Sequence, residues 1–410
     1  MNKLLITNIG MLATPQGNGP KRGEEQGKIQ ILKDAWVLVE DGMIAKVGTG
    51  TPDAELAKDA QVLDAEGKLV TPGLVDAHTH LIFGGWRQNE LGMKLHGATY
   101  LEILAAGGGI LSTMTSTRNA TEEELTTKAA AALDEMVKLG TTTCEAKSGY
   151  GLTTEHELKA LQVIKNLNDR HIMDVAPTFM GAHMVPSEYK DNREEYIRIL
   201  IEEMIPAVAK QGIAKFCDVF CETGVFSAEE SRKILEAGKK YGLVPKIHAD
   251  EIDPIGGSVL GGEIGAISSE HLIVCPSEGI ASLAKGGTIA CLLPATSFNL
   301  GATFAPAREM VEAGVPVAMA SDFNPGSCPC LNLQFVINLG CLKYKLTPEE
   351  VLTAVTLNGA AAIDMADKVG SVEVGKQGDL VIWDAPDLDY ICYRVGSNLA
   401  KTVIKKGQIV

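Results

Sequence analysis

Hydrophobic and polar positions follow one rhythm at the two ends of this 410-residue chain and another between them. Near the start, Lys3-Leu4-Leu5-Ile6 and Ala35-Trp36-Val37-Leu38-Val39 have the short apolar texture of strands. Asp41-Gly42 turns the second of these into Met43-Ile44-Ala45-Lys46-Val47-Gly48. The Gly-, Pro- and charge-rich stretch at 15–28 reads as a surface loop. The C-terminus repeats the texture, with strand-like segments at 379–383, 401–404 and 406–410 separated by glycine turns. Neither end holds enough strands to close a core alone. Residues 1–70 and 366–410 are therefore expected to pack together as one small discontinuous β-sandwich domain.

Across residues 71–365 the period changes, and apolar or β-branched runs alternate with amphipathic helical stretches, the pattern of a parallel sheet. Strands are predicted at 73–80, 140–147, 173–181, 214–221, 243–250, 266–273, 287–293 and 315–322. Helices are predicted at 122–139, 155–167, 193–211, 228–241 and 276–284, the first opened by Thr121 with Glu124 three residues on, a capping-box spacing. Eight such βα units fit an α/β fold of the TIM-like (β/α)8 barrel type, with the active site at the C-terminal ends of the strands. An open doubly wound sheet is the alternative, since counting strands does not prove closure. The run 68–73 reads as a short link into the first barrel strand, with Pro72 at an edge position.

Composition narrows the setting. The chain is 45% hydrophobic and 22% charged, enough for a large core, and its net charge is -15 with no block of basic residues. Nucleic acid and anionic membranes are poor partners for such a surface. The sequence shows neither a long apolar span nor a basic-then-apolar leader, which reads as a cytoplasmic protein. Nine scattered cysteines fit a reducing compartment. Cys217/Cys221 and Cys328/Cys330 lack the partner spacing of zinc pairs and read as packed thiols.

The chemistry gathers at the predicted strand ends. In an extended segment alternate side chains share a side, so His78 and His80 in Asp76-Ala77-His78-Thr79-His80 point the same way. The fifth strand ends at His248, the sixth carries His271 and the eighth ends at Asp322. Three imidazoles and a carboxylate suit Zn²⁺ or Fe²⁺ with one open position, so His78, His80, His248 and Asp322 are the expected metal ligands. Glu251 follows His248 by three residues and can reach a water beside the metal, which suits a general base. His271 can orient that water or stabilise an oxyanion. Gly107-Gly108-Gly109 lacks the strand-before, helix-after setting of a nucleotide loop and reads as a mobile segment.

These residues, with the flanking β segments, resemble the metal-dependent amidohydrolases. More narrowly, HTHLIFGGWRQNEL (78–91), GATYLEILAAGGGI (97–110), EAKSGYGL (145–152), PTFMGAH (177–183), HADE (248–251), SSEHL (268–272) and SDFNPGS (321–327) are similar to the imidazolonepropionase family. The resemblance covers nearly the whole barrel and implies ring hydrolysis of 4-imidazolone-5-propanoate to N-formimidoyl-L-glutamate in histidine degradation. It implies one Zn²⁺ or Fe²⁺/Fe³⁺ per subunit, an anionic small-molecule substrate and a homodimer. By motif it carries substrate contacts onto Arg87, Tyr150, His183, Glu251, Asn324, Gly326 and Ser327, with Glu251, His271 and His183 as catalytic groups. The chain departs from the family pattern at Trp86, where a small residue is expected, and at Cys328 and Cys330.

The residue types agree with those roles. A propionate needs a local cation in so acidic a protein, and Arg87 is a candidate bidentate clamp. Tyr150 lies in a turn after the second strand, and His183 at the end of the third, placed to hydrogen-bond the ring carbonyl. Asn324-Pro325-Gly326-Ser327 reads as a turn that offers backbone N–H groups to an anion.

Overall fold

The computed structural model describes residues 3–98, 102 and 106–410. The chain opens with strands β1 (Lys3–Thr14), β2 (Gln30–Glu40), β3 (Met43–Thr49), β4 (Gln61–Asp64) and β5 (Leu69–Pro72). It continues through β6 (Leu74–Asp76), β7 (Thr141–Lys147), β8 (Asp174–Ala182), β9 (Phe216–Cys221), β10 (Val244–Ala249), β11 (Ser268–His271), β12 (Ile289–Leu292) and β13 (Val317–Met319). It ends with β14 (Leu380–Trp383), β15 (Ala400–Lys405) and β16 (Gln408–Ile409).

Strands β6 to β13 lie side by side in chain order, each parallel to the next. The seam between β13 and β6 closes just beyond the strands, through a parallel bridge between Thr79 and Phe323. Two backbone bonds hold it, His80 N–H to Phe323 O at 2.9 Å and Asp322 N–H to His78 O at 3.1 Å. This is the expected barrel and not the open sheet, in which the first and last strands would not meet. The closing seam carries three of the four expected metal ligands.

Strands from both ends of the chain form the second sheet, in the order β16-β15-β14-β5-β1-β2-β3 with β4 also paired to β1. β1 breaks register between Ile6 and Ile9, pairing β4 before the break and β5 after it. The sheet curls over its own core of Leu4, Ile6, Leu12, Val37, Val39, Leu380, Ile382 and Ile404. The alternate positions Val381, Trp383 and Val403 join the barrel core instead, so the two-residue period of each strand divides it between two cores. The small unit is thus one continuous sheet folded on itself. The expected link at 68–73 is corrected: residues 69–72 are β5, an interior strand between β1 and β14. Pro72 takes its last position, where the missing N–H falls at the end of the ladder.

The helices stand where periodicity put them, and the capping box joins Thr121 and Glu124 at the start of Glu122–Lys138. Residues 193–211 contain a π turn at Leu200–Met204, which ends two residues before Pro206. A proline N lacks the hydrogen for the i−4 carbonyl, and the wider turn accommodates that loss. No helix among the described residues is long and apolar enough to cross a membrane.

Candidate metal centre and substrate cavity

Three imidazoles converge where the barrel closes. His80 Nε2 lies 3.3 Å from His78 Nε2 and 3.3 Å from His248 Nε2. Asp322 Oδ1 is 3.5 Å from His78 Nε2 and 3.6 Å from His80 Nε2. All four residues are buried. The alternation expected at 78–80 holds, for the Thr79 hydroxyl turns away to donate to Glu145 O. His271 adds to the cluster, forming a second close trio with His78 and His248.

The hydrogen bonds behind these rings decide what they can do. His78 Nδ1 meets Glu270 Oε2 at 2.9 Å, and His248 Nδ1 meets Asp218 Oδ1 at 3.0 Å. A carboxylate can only accept, so each ring donates from Nδ1 and turns its Nε2 inward. Burial holds His78 and His80 well below the ordinary histidine range, so both are neutral at pH 7. Three inward-facing ring nitrogens and a carboxylate oxygen then face one another. This donor set fits a divalent cation. The other oxygen of Asp322, Oδ2, accepts from the Thr296 hydroxyl at 2.5 Å, which fixes its orientation.

A cavity of about 450 Å³ opens on this cluster. Its lining includes His80, His248, His271 and Asp322 together with Arg87, Tyr150, His183, Glu251, Asn324, Gly326 and Ser327. Every expected substrate contact therefore reaches one space. Glu251 is half-buried, its Oε2 3.6 Å from His271 Nε2. Burial raises its carboxyl to about 7. Burial lowers His271 to about 4 and His183 to about 3.

Four expectations change in detail. Arg87 is not a free clamp, because its Nε and Nη2 already bond Glu90 at 2.8 and 3.0 Å. Its Nη1 lies against Gly326, where a Cβ would stand 2.2 Å away, so residue 326 is glycine to admit the guanidinium. The turn at 324–327 does not offer its N–H groups to a ligand, because Gly326 N–H and Ser327 N–H both donate to Asn324 Oδ1 at 2.8 Å. His183 Nδ1 bonds Gly149 O at 2.9 Å. A carbonyl accepts only, so neutral His183 turns an acceptor Nε2 to the cavity and cannot donate to a ring carbonyl. Lastly, a helix (Ile110–Asn119) does follow Gly107–Gly109, and Gly109 N–H donates to Glu90 Oε1. Within the stretch 97–110, positions 99–101 and 103–105 lie outside the described residues.

Sequence reasoning missed Asp218, Glu270, Lys147 and Glu145, all fully buried on barrel strands. The available signal was a charged residue in the middle of an apolar strand, which is rare unless paired. Trp86 stands half out of the fold and packs edge-on to Phe83 and Phe323. Cys328 is a packed thiol whose Sγ donates to Ser321 O.

The fold and the donor set are those of a metal-dependent hydrolase, and residues 69–410 match the amidohydrolase family. The chain belongs to that family. Within it, the chain is 51% identical over 414 residues to the imidazolonepropionase of Alkaliphilus metalliredigens, covering 100% of this chain and 98% of the relative. It is 52% identical over 377 residues to that of Treponema denticola, covering 92% and 91%. Among solved structures, zinc-complexed atrazine chlorohydrolase of Arthrobacter aurescens matches with a TM-score of 0.72 at 18% identity, over 99% of this chain and 94% of that one. Guanine deaminase of C. acetobutylicum with bound guanine matches at 0.69 and 19% identity, over 100% of both. At those identities the likeness is one of fold.

Proposed function

We propose that the chain hydrolyses the ring C–N bond of 4-imidazolone-5-propanoate to give N-formimidoyl-L-glutamate, a step of histidine degradation. The observation that carries this reading is that the histidine–aspartate cluster and Arg87 line the same cavity. One end suits activation of water and the other suits an anionic side chain. Full-length identity near one half to imidazolonepropionases supports it.

His78, His80, His248 and Asp322 would hold one Zn²⁺ or Fe²⁺/Fe³⁺ ion. When bound, such an ion supplies Lewis acidity and brings the pKa of a water near neutrality. Glu251 takes the proton of the attacking water and returns it to the ring nitrogen as the C–N bond breaks, a task for which a carboxyl near 7 is matched. His271 donates from Nε2 to the oxygen that gains charge. His183 accepts a ring N–H at its Nε2 and so selects the ring orientation. Arg87 Nη1, with the Tyr150 hydroxyl, receives the propionate, while Asn324, Gly326 and Ser327 shape the turn around it. The protein works in the cytoplasm as a homodimer, with no nucleic-acid or membrane partner.

The test is incubation of the metal-loaded protein with 4-imidazolone-5-propanoate while ring absorbance, formimidoylglutamate and ammonia are followed together. Ring loss with stoichiometric formimidoylglutamate and no ammonia is expected. Ammonia release, or an unchanged ring, would overturn the assignment.

A further inference from the structure

We propose that Lys147, Glu145 and Lys246 are positioning residues that lock the metal-binding histidines from beneath, closing a ring of side chains that runs from His78 through the barrel interior to His248. The inference rests on the metal site proposed above, and its subject is what lies under that site.

The ring can be followed atom by atom. From His78 it passes to Glu270 Oε2, and Glu270 Oε1 lies 3.4 Å from Lys246 Nζ. Lys246 Nζ is 3.0 Å from Glu145 Oε1, and Glu145 Oε2 is 2.8 Å from Lys147 Nζ. Lys147 Nζ donates to Asp218 Oδ2 at 2.7 Å, and Asp218 Oδ1 meets His248. Both neutral donors in the ring bind its carboxylates: the Thr178 hydroxyl reaches Glu145 Oε1 and the Ser268 hydroxyl reaches Glu270 Oε1, each at 2.5 Å.

The division of oxygens is what suggests positioning. Asp218 and Glu270 each place one oxygen on a histidine and the other on a lysine, and Glu145 places one oxygen on each lysine. A carboxylate held by a single imidazole can turn about its last torsion; one held at both oxygens cannot. The orientation of the His78 and His248 rings is thereby tied to two lysines that touch neither ring. Charge points the same way. Every member is fully buried, and an unpaired charge there would be costly. Burial opposes the ammonium of Lys147, but Asp218, Glu145 and Glu270 outweigh it and raise Lys147 above its ordinary range. Two cations against three carboxylates leave one negative charge beneath the site, complementary to a bound cation. Another charged cluster, Lys405 with Asp379 and Asp174, joins the two sheets and touches no histidine.

The experiment measures Zn²⁺ affinity by competition with a chelator, and the Co²⁺ absorption spectrum, on full-length protein. The variants are Lys147→Met, the charge-balanced Lys147→Met/Glu145→Gln, and Thr178→Val, with metal-free Tm as the check on folding. Outer partners of metal-bound histidines are worth about 10–100-fold in affinity. Lys147→Met is expected to weaken Zn²⁺ binding within that range and to shift the Co²⁺ bands. The double variant should lose about as much as the single one, because the two residues act through one ring. Thr178→Val keeps size and charge and removes only a hydroxyl bond to Glu145, which makes it the mildest of the three, and a several-fold loss is expected. Wild-type affinity and spectrum in every variant that folds would overturn the proposal. If wild-type protein binds no ion, or His78→Ala binds as well as wild type, the metal-site assignment fails instead.

Discussion

At the scale of single residues, burial decides protonation, and protonation decides role. Glu251 is the clearest case. A carboxyl that titrates near 7 in the fold and near 4.5 unfolded binds more protons when folded. Its contribution to stability is fully present below about pH 4.5 and is lost as pH rises through about 7. In metal-free protein, Glu251→Gln should therefore reduce the fall in Tm across that window. An identical fall in both proteins would remove Glu251 as its source. In the loaded enzyme the same substitution should leave metal content unchanged and lower kcat about 10²–10⁴-fold. Full activity would exclude Glu251 as the proton carrier.

Arg87 is held by Glu90, which is itself buried, so truncating the arginine would also disturb the loop. Gly326→Ala is the cleaner probe, because the new Cβ would stand 2.2 Å from Nη1 and displace the guanidinium. KM for the propionate-bearing substrate should rise about tenfold or more, the scale of a hydrogen bond to a charged group. KM for a neutral ring analogue should change little, and equal changes in both would show that Arg87 does not meet the carboxylate.

At the scale of elements, sequence cues were most informative where the signal is local. Thr121 caps its helix reciprocally with Glu124, and neither residue lines the cavity. Thr121→Ala should cost about 1 kcal/mol of stability, measured by denaturant unfolding, with kcat/KM unchanged. A loss of activity would mean that this helix is coupled to the site. The strand β5 shows the opposite situation. Its run ends in Pro72 and Gly73, and those residues argue locally for a link. Only pairing with Met11 and Leu12 on one side and with residues 380–382 on the other makes it a central strand.

For the whole molecule, the two sheets share a core as well as an ionic seam. Trp383 is buried among barrel residues and donates its indole N–H to Thr71 Oγ1. Lys405 bridges Asp174 of β8 to Asp379 ahead of β14. Lys405→Met would leave these carboxylates short of their shared cation and should cost about 3–5 kcal/mol. Both sheets should melt in a single transition by far-UV dichroism and tryptophan fluorescence in the wild-type protein. Separate transitions would show that the sheets are independently stable.

The barrel strands, the major helices and the four candidate ligands were legible in the sequence because each rests on a short-range signal. Strands and helices follow periodicity, and ligands fall at strand ends. The resemblance to a known family then named the cavity residues, and every one of them lines the same space. What tertiary structure alone decided is which partner each polar atom already has. Arg87 is shared with Glu90, the N–H groups at 326 and 327 are spent on Asn324, and His183 is an acceptor because Gly149 holds its proton. Asp218 and Glu270, which hydrogen-bond His248 and His78, come from different barrel strands. A hydrogen bond depends on distances of a few tenths of an ångström between such residues, and no spacing along the sequence encodes them.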